Sequence, residues 1–253
     1  MNLFASLPRP AVVAHRGASA HAPENTLAAF RLAASQGAHA VELDARLSAD
    51  LQVVVFHDDT LNRTTNGQGP VGGQPLAALR QLDAGGWCDS AYAGETIPTL
   101  GEVFESLSPD ILINIELKER PALHQTLVEA VATDIRRHDR AGSVLVSSFD
   151  RAALRAFQRL MPEVATGRLA LPGLAGWRAR HGLPGRPAHA ALHPYHGDVR
   201  PALLSHAHAA GCRVLTYTVN HPDEMRRLFD LGVDGIFTDD PALARRMLPG
   251  AAP

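Results

Sequence analysis

Short apolar runs of four to seven residues alternate with longer stretches of helical periodicity from one end of this chain to the other. The runs Ala11–His15, Ala40–Asp44, Ile111–Leu117, Ser143–Ser147, Ala165–Leu169, Ala188–Leu192, Arg213–Val219 and Gly235–Thr238 predict eight strands. Segments of this kind suit a parallel sheet, whose two faces are both covered. Between most of them, Thr26–Gln36, Leu123–Arg137, Arg151–Leu160, Pro201–Ala209, Pro222–Leu231 and Pro241–Leu248 predict helices. Asn25 and Asp240 stand where N-caps belong, and Pro222 and Pro241 suit a first turn, where the missing N–H has no partner to lose. Gly37, Gly211 and Gly232 stand where helices should stop. Eight repeats of strand and helix predict a parallel (β/α)8 TIM barrel, with an open doubly wound sheet as the alternative.

The rhythm breaks once. After Asp44 come a turn at Ser48–Leu51, a further strand-like run at Gln52–His57, and a glycine-rich stretch of poor periodicity to about Pro98. Residues 58–98 are therefore expected to be a small insertion after the second strand, within a single barrel domain spanning 1–253. Such an insertion lies at the face where barrels keep their active sites. Leu82, Trp87 and Tyr92 offer it apolar anchoring, so an ordered, lid-like flap is expected.

Composition narrows the function without naming it. The 253 residues match the roughly 250 that such a barrel needs. A hydrophobic content of 45% and a charged content of 20% are those of an ordinary globular protein. The formal charge of −2 gives no bulk attraction to nucleic acid. Cys88 and Cys212 are far apart and lack metal-ligand spacing, which suits free thiols in a reducing compartment. No run is long and apolar enough to span a bilayer, no signal-like segment precedes His15, and no basic amphipathic helix suggests a membrane-binding face. A cytoplasmic protein without stable membrane association is expected.

The chemistry lies in a few ordered fragments. Glu42 and Asp44 are two apart on a buried strand and so point to the same face. Two carboxylates inside one barrel repel and lose hydration unless a cation compensates them. Glu116 repeats the pattern at the end of the third predicted barrel strand, with Lys118 two residues on. Oxygen donors without thiolates suit Mg2+ or Ca2+ better than zinc. His15 and Arg16 end the first strand, and His57 ends the extra one. Two histidines give an acid and a base for the two sides of a reacting phosphorus centre. His193 and His196, after the sixth predicted strand, could reach the barrel mouth, and most other histidines are expected in solvent.

These fragments, together with Pro23-Glu24-Asn25-Thr26, His57-Asp58-Asp59, Arg63-Thr64-Thr65-Asn66-Gly67, Asn114-Ile115-Glu116-Leu117-Lys118, Tyr217-Thr218-Val219-Asn220 and Thr238-Asp239, resemble the glycerophosphodiester phosphodiesterases, most of all the bacterial cytoplasmic type. The resemblance runs through almost the whole chain. It implies a TIM barrel with an insertion after strand two, and hydrolysis of a glycerophosphodiester to sn-glycerol 3-phosphate and an alcohol with one divalent cation. It implies Glu42, Asp44 and Glu116 as metal ligands, His15 and His57 as catalytic histidines, and Arg16 and Lys118 as cations on the phosphate. Glu24 and Asn25 are expected behind the ligands or on the phosphate side, and Tyr217 in the apolar wall beside the glycerol. Two departures stand out. Tyr217 replaces a tryptophan common in the family, and Asp50-Leu51 replaces the usual Asp-Gly of the hairpin. A leucine at positive φ costs about 1 kcal/mol, so a turn of another shape is expected.

Within this chemistry one histidine acts as base and the other as acid, an order the sequence does not decide although His57 as base and His15 as acid is the favoured one. The nucleophile is either water or the glycerol 2-hydroxyl. The alternative activity, lysophospholipase D-like cleavage of lysophospholipid headgroups, requires an apolar approach to the site. A zinc amidohydrolase would want His-x-His on the first strand, where this chain has His15-Arg16-Gly17. A non-catalytic binding module would be expected to have lost one of these groups.

Overall fold

The computed structural model describes residues 2–119, 121–181 and 189–250. In chain order the strands are β1 (Ala11–Ala14), β2 (Ala40–Leu47), β3 (Val53–Val55), β4 (Leu112–Leu117), β5 (Val144–Ser148), β6 (Ala165–Ala170), β7 (Ala191–Pro194), β8 (Arg213–Thr216) and β9 (Gly235–Thr238). The helices are α1 (Leu3–Ser6), α2 (Leu27–Ser35), α3 (Leu76–Leu79), α4 (Leu100–Ser106), α5 (His124–Arg137), α6 (Arg151–Leu160), α7 (Trp177–His181), α8 (Pro201–Ala209), α9 (Pro222–Leu231) and α10 (Pro241–Met247). The sheet runs β1-β9-β8-β7-β6-β5-β4-β2, and β1 pairs with β2 to close it. All these pairings are parallel. The result is the (β/α)8 barrel, not the open sheet, and β3 is an antiparallel appendage on β2.

The two-residue period of a strand sorts the side chains of β2 onto opposite sides. Val41, Leu43, Ala45 and Leu47 pack outward with Phe30, Leu100, Phe104 and Leu127 of the surrounding helices. Ala40 lies in the interior cluster with Val13, Leu112, Leu145, Leu215 and Phe237, which α1 closes from below with Phe4. Glu42 and Asp44, two and four residues on, therefore project into the barrel above an apolar floor.

Several local expectations shift. Thr26, not Asn25, caps α2, with its hydroxyl accepting from Ala29 N–H. Asn25 instead has φ 58 and faces the barrel. Asp240 caps α10, and Pro222 and Pro241 open their helices. The predicted strand at Ala188–Leu192 forms as Ala191–Pro194, and Ala188 itself lies outside the described residues. Leu51 does adopt the left-handed conformation, φ 61. Its turn is held by Asp50 Oδ1, which accepts from Ser48 Oγ at 2.6 Å and from Leu76 N at 2.9 Å. These bonds offset the leucine's strain.

The segment between β3 and α4 has its own core, in which Val54 of β3 packs with Phe56, Leu61, Val71, Leu79 and Ile97. Leu82 packs against this cluster. Trp87 is not an anchor: it is 43% exposed and donates its ring N–H to Ala84 O. Tyr92 ties the segment to the barrel by donating its hydroxyl to His21 O at 3.0 Å.

Leu51→Gly should raise the unfolding free energy by about 0.5–1 kcal/mol, the strain removed less the added entropy of the unfolded glycine. A lowered denaturant midpoint would show that the turn carries no strain, because only the entropic cost of the glycine would then remain. Three histidines make stability depend on pH. Burial and the Arg245 guanidinium lower His39 to about 4, burial and Arg168 lower His189 to about 4, and burial lowers His193 to about 3. Each titrates near 6.5 in the unfolded chain. Between those values the unfolded chain binds more protons, so this stability is complete above about pH 6.5 and is lost as the pH falls through 4 and then 3. His39→Asn keeps an acceptor for Val12 N–H, which His39 Nδ1 receives at 2.9 Å. Its unfolding free energy should fall less steeply between pH 7 and pH 5 than that of the unsubstituted protein.

Candidate active site

The carboxylates of Glu42, Asp44 and Glu116 converge at the C-terminal end of the barrel, with one oxygen from each within 4.8 Å of the others. Parallel pairing explains this. Asp44 stands opposite Glu116 in the β2–β4 ladder, and Glu42 lies one inward position below. Burial raises Glu42 well above the ordinary carboxylate range, with the charges of Asp44 and Glu116 adding to it. Burial and Asp44 raise Glu116 to about 7 against the pull of Lys118. Asp44 differs. Burial pushes it up as well, but Lys118 and Arg16 outweigh this and hold it at about 2. Three ionised carboxylates would exceed the charges of Arg16 and Lys118, which is why Glu42 and Glu116 resist ionising without a further cation, and the donors are hard oxygens. These residues fit a divalent cation of the Mg2+ or Ca2+ kind.

Arg16 and Lys118 flank the cluster. Lys118 Nζ lies 3.4 Å from Asp44 Oδ1 and 3.5 Å from Glu116 Oε1. Arg16 Nη1 donates to Glu24 Oε1 at 2.8 Å, and its backbone N–H donates to Glu42 Oε2 at 2.9 Å. The buried Arg16 Nε has no hydrogen-bond acceptor, although Asp44 Oδ2 lies 3.4 Å away. Aiming that backbone N–H at Glu42 requires φ 57 at Arg16, an uncommon conformation for a non-glycine residue. Gly17 follows at φ 85, and a Cβ there would meet the Ala29 carbonyl carbon at 2.6 Å. The His15-Arg16-Gly17 turn therefore needs its glycine for both torsion and space. Asn25 N–H donates to Arg16 O at 3.0 Å. Its side chain donates to Asp44 Oδ2 at 2.8 Å and accepts from Asp44 N at 3.3 Å.

Each histidine forms a dyad with an aspartate. His15 Nδ1 lies 2.7 Å from Asp239 Oδ1. Asp239 also accepts from Asn220 Nδ2 at 2.5 Å and from Ser19 Oγ at 3.1 Å. Burial alone would raise Asp239, but the bond to His15 leads the contributions that hold it low. His57 Nδ1 lies 2.6 Å from Asp58 Oδ1. Arg63 is the main reason Asp58 is depressed far below its ordinary value. Burial lowers His57, and Lys118 and Arg16 reinforce it against Asp44. In both dyads the aspartate engages Nδ1 and not Nε2.

Tyr217 follows β8 and stands edge-on to Phe149 with ring centres 6.1 Å apart. Its hydroxyl donates to Ala170 O at 2.7 Å. His193 does not reach the mouth. It is fully buried inside the barrel, edge-on to Phe237 at 4.9 Å, and a Cβ on Gly167 would strike its ring. His196 Nδ1 is engaged by Glu224 at 2.8 Å. Asp239, Asn220 and Arg63 carry parts of the site that sequence reasoning left without roles. Asp239 was within reach: it follows the last strand, which a closed barrel places beside β1, Thr238 opposite Ala14. Arg63 gave no such signal, because its position depends on how an irregular segment folds. A cleft of about 620 Å³ opens at the other end of the barrel, lined by Arg9, Glu163 and Arg213 among others. Its arginines are already engaged, Arg9 by Asp234 and Arg213 by the carbonyls of Ala5 and Leu7.

The model of the glycerophosphoryl diester phosphodiesterase family matches residues 15–243. A glycerophosphodiester phosphodiesterase of Caldanaerobacter subterraneus subsp. tengcongensis is 39% identical over 238 residues, covering 91% of this chain and 94% of that protein. A glycerophosphodiester phosphodiesterase of Bacillus subtilis is 32% identical over 263 residues, covering 94% and 86%. An Oleispira antarctica phosphodiesterase, solved in complex with the product sn-glycerol-3-phosphate, superposes with a TM-score of 0.87 at 38% identity, covering 98% of this chain and 99% of that one. Matches of this extent, carried by a barrel whose carboxylates, cations and histidines converge on one mouth, mean that the chain belongs to the glycerophosphoryl diester phosphodiesterase family.

Proposed function

We propose that this enzyme hydrolyses glycerophosphodiesters to sn-glycerol 3-phosphate and an alcohol, with one divalent cation held by Glu42, Asp44 and Glu116 and with His15 and His57 moving the protons. The observation that carries this is the meeting of a cation-deficient carboxylate cluster with two His–Asp dyads at the same barrel mouth. It agrees with the product bound by the Oleispira antarctica relative.

A bound cation of the Mg2+ or Ca2+ class supplies Lewis-acid polarisation of a phosphate oxygen. The side chains do the rest. Arg16 presents a planar guanidinium and Lys118 a point charge to the phosphate oxygens, where negative charge grows in the transition state. Glu24 and Asn25 stand behind them, Glu24 orienting Arg16 and Asn25 orienting Asp44. Tyr217, with Phe149, offers an apolar wall beside the glycerol. His57, which burial and two nearby cations keep neutral, takes the proton of the nucleophile at Nε2. His15 gives its proton from Nε2 to the departing alkoxide. The charge of Asp239 is met by neutral donors from Asn220 and Ser19, so it remains available to a proton-carrying His15. Arg63 has already taken up the charge of Asp58. This difference supports the reading of His15 as acid and His57 as base.

One feature favours a second activity. The loop after β6 exposes Leu171 and Trp177 by about half and Leu174 by 91%. Buried Arg180 stiffens this loop, donating to Leu171 O and Gly173 O and pairing with Asp198 at 2.9 Å. An apolar rim at the barrel mouth suits the acyl chain of a lysophospholipid, cleaved in lysophospholipase D fashion. Release of glycerol 3-phosphate from glycerophosphocholine, compared with choline release from lysophosphatidylcholine, separates the two activities.

Exhaustive chelation should abolish turnover, and Mg2+ or Ca2+ should restore it; full activity in metal-free protein would end the metal assignment. The histidines are separated by leaving group. His15→Ala should cripple cleavage of an alkyl diester, whose alkoxide needs a proton, and should do far less harm with p-nitrophenol, which departs as a stable anion. His57→Ala should damage both substrates similarly, each effect lying in the roughly 10²–10⁴-fold range of proton-transfer catalysis. A reversed pattern swaps the roles, and equal loss of both substrates in both variants removes the proton-transfer assignment.

A further inference from the structure

His57 is held both at its backbone and at its ring. Its carbonyl oxygen accepts from Arg46 Nε and Nη2 at 2.9 and 2.7 Å, and its ring meets Asp58 at 2.6 Å. Asp58 is itself gripped. Arg63 Nε donates to its Oδ2 at 2.7 Å and Arg63 Nη2 lies 3.1 Å from its Oδ1. The other side of the same guanidinium grips Glu24, with Nη1 on Oε2 at 2.6 Å and Nη2 on Oε1 at 2.8 Å. Glu24 Oε1 is the oxygen that also accepts from Arg16. One planar group thus spans the carboxylate that orients a proposed catalytic histidine and the carboxylate that orients a proposed phosphate-binding arginine.

We propose that Arg63 is a positioning residue for the phosphodiesterase reaction, fixing the tautomer and direction of His57 through Asp58 and the direction of Arg16 through Glu24. The argument is geometric. Arg63 is 44% exposed, and ion pairs at such exposure contribute little to stability. A guanidinium has five N–H donors in a fixed plane and can serve two carboxylates at set angles, which an ammonium cannot. Asp58, kept ionised mainly by this contact, can only accept at both oxygens. His57 Nδ1 must then carry the ring hydrogen, and Nε2 is left as the acceptor a base needs. The backbone of Arg63 is also placed. Leu61 before it and Thr64 and Thr65 after it are buried, and Thr65 Oγ1 donates to Leu61 O at 2.7 Å. The core of the 58–98 segment therefore sets where the guanidinium stands.

This inference rests on His57 being the base. The test uses Arg63→Ala and Arg63→Lys with Mg2+ present. Both should lose on the order of 10–100-fold in kcat, the usual scale for removing an orienting partner, with a smaller change in KM. The loss should be equal for alkyl and p-nitrophenyl diesters, because the base acts whatever departs. Nitrogen-15 NMR of labelled histidine should show the hydrogen of His57 on Nδ1 in the unsubstituted protein and mixed tautomers in Arg63→Ala. Free guanidinium should restore part of the kcat of Arg63→Ala but not of Arg63→Lys. Unchanged kcat, or lost kcat with an unchanged His57 tautomer, overturns the proposal. So does a fall in melting temperature that tracks the activity without guanidinium rescue, which would make Arg63 a staple of the fold. If His57→Ala keeps full activity, the base assignment fails instead, and the NMR tautomer alone then decides whether Arg63 positions His57.

Discussion

The arrangement of this barrel turns on three carboxylates crowded at one end of a closed sheet. Glu42 and Asp44 are nearly inaccessible to solvent, and taking such groups out of water disfavours their charged forms. The uncommon features around them can be understood as compensation. Arg16 adopts φ 57 and aims a backbone N–H at Glu42. Asn25 adopts φ 58 and bonds Asp44 from two directions. The turn between them brings Glu24 against Arg16, so that a second anion steadies the cation serving the first. Two non-glycine residues in the left-handed region, each costing on the order of 1–3 kcal/mol, persist where surrounding bonds over-determine them. Here the bonds are to the very carboxylates that need them.

Much of this was legible in the sequence, because it rests on periodicity. A residue on a parallel strand has its face fixed by counting in twos, and closure of the barrel fixes its neighbours. That is why Glu42, Asp44 and Glu116 were identifiable as one group before any coordinate was known. Loop-dependent features were less accessible. Asn25 was expected as an N-cap because asparagine favours that position, yet tertiary contact with Asp44 claimed its side chain and left Thr26 to cap α2. Leu51 was expected to avoid positive φ, yet Asp50 holds the turn in that shape. His193 was a candidate for the mouth, but β7 turns it into the barrel beside Gly167, whose missing side chain makes room for the ring. Local propensity does not register any of these packing facts.

The two dyads differ in origin. His15 and Asp239 are 224 residues apart and meet because β9 returns to lie beside β1. That dyad exists wherever the barrel closes. His57 and Asp58 are adjacent in the chain, and adjacency alone would leave both free to turn away. What holds them comes from elsewhere: Arg46 from β2 on the backbone, and Arg63 from the irregular segment on the carboxylate. The segment's hydrophobic core, from Val54 to Ile97, consequently serves the dyad as well as the segment itself. Because it packs as a unit, it delivers a charged fork to a set position. Proton transfer needs reacting atoms within about 2.6–3.2 Å, and a loop without such a core would not hold a side chain to that tolerance. The His15–Asp239 dyad therefore follows from the topology of the barrel, and the His57–Asp58 dyad from the packing of its insertion.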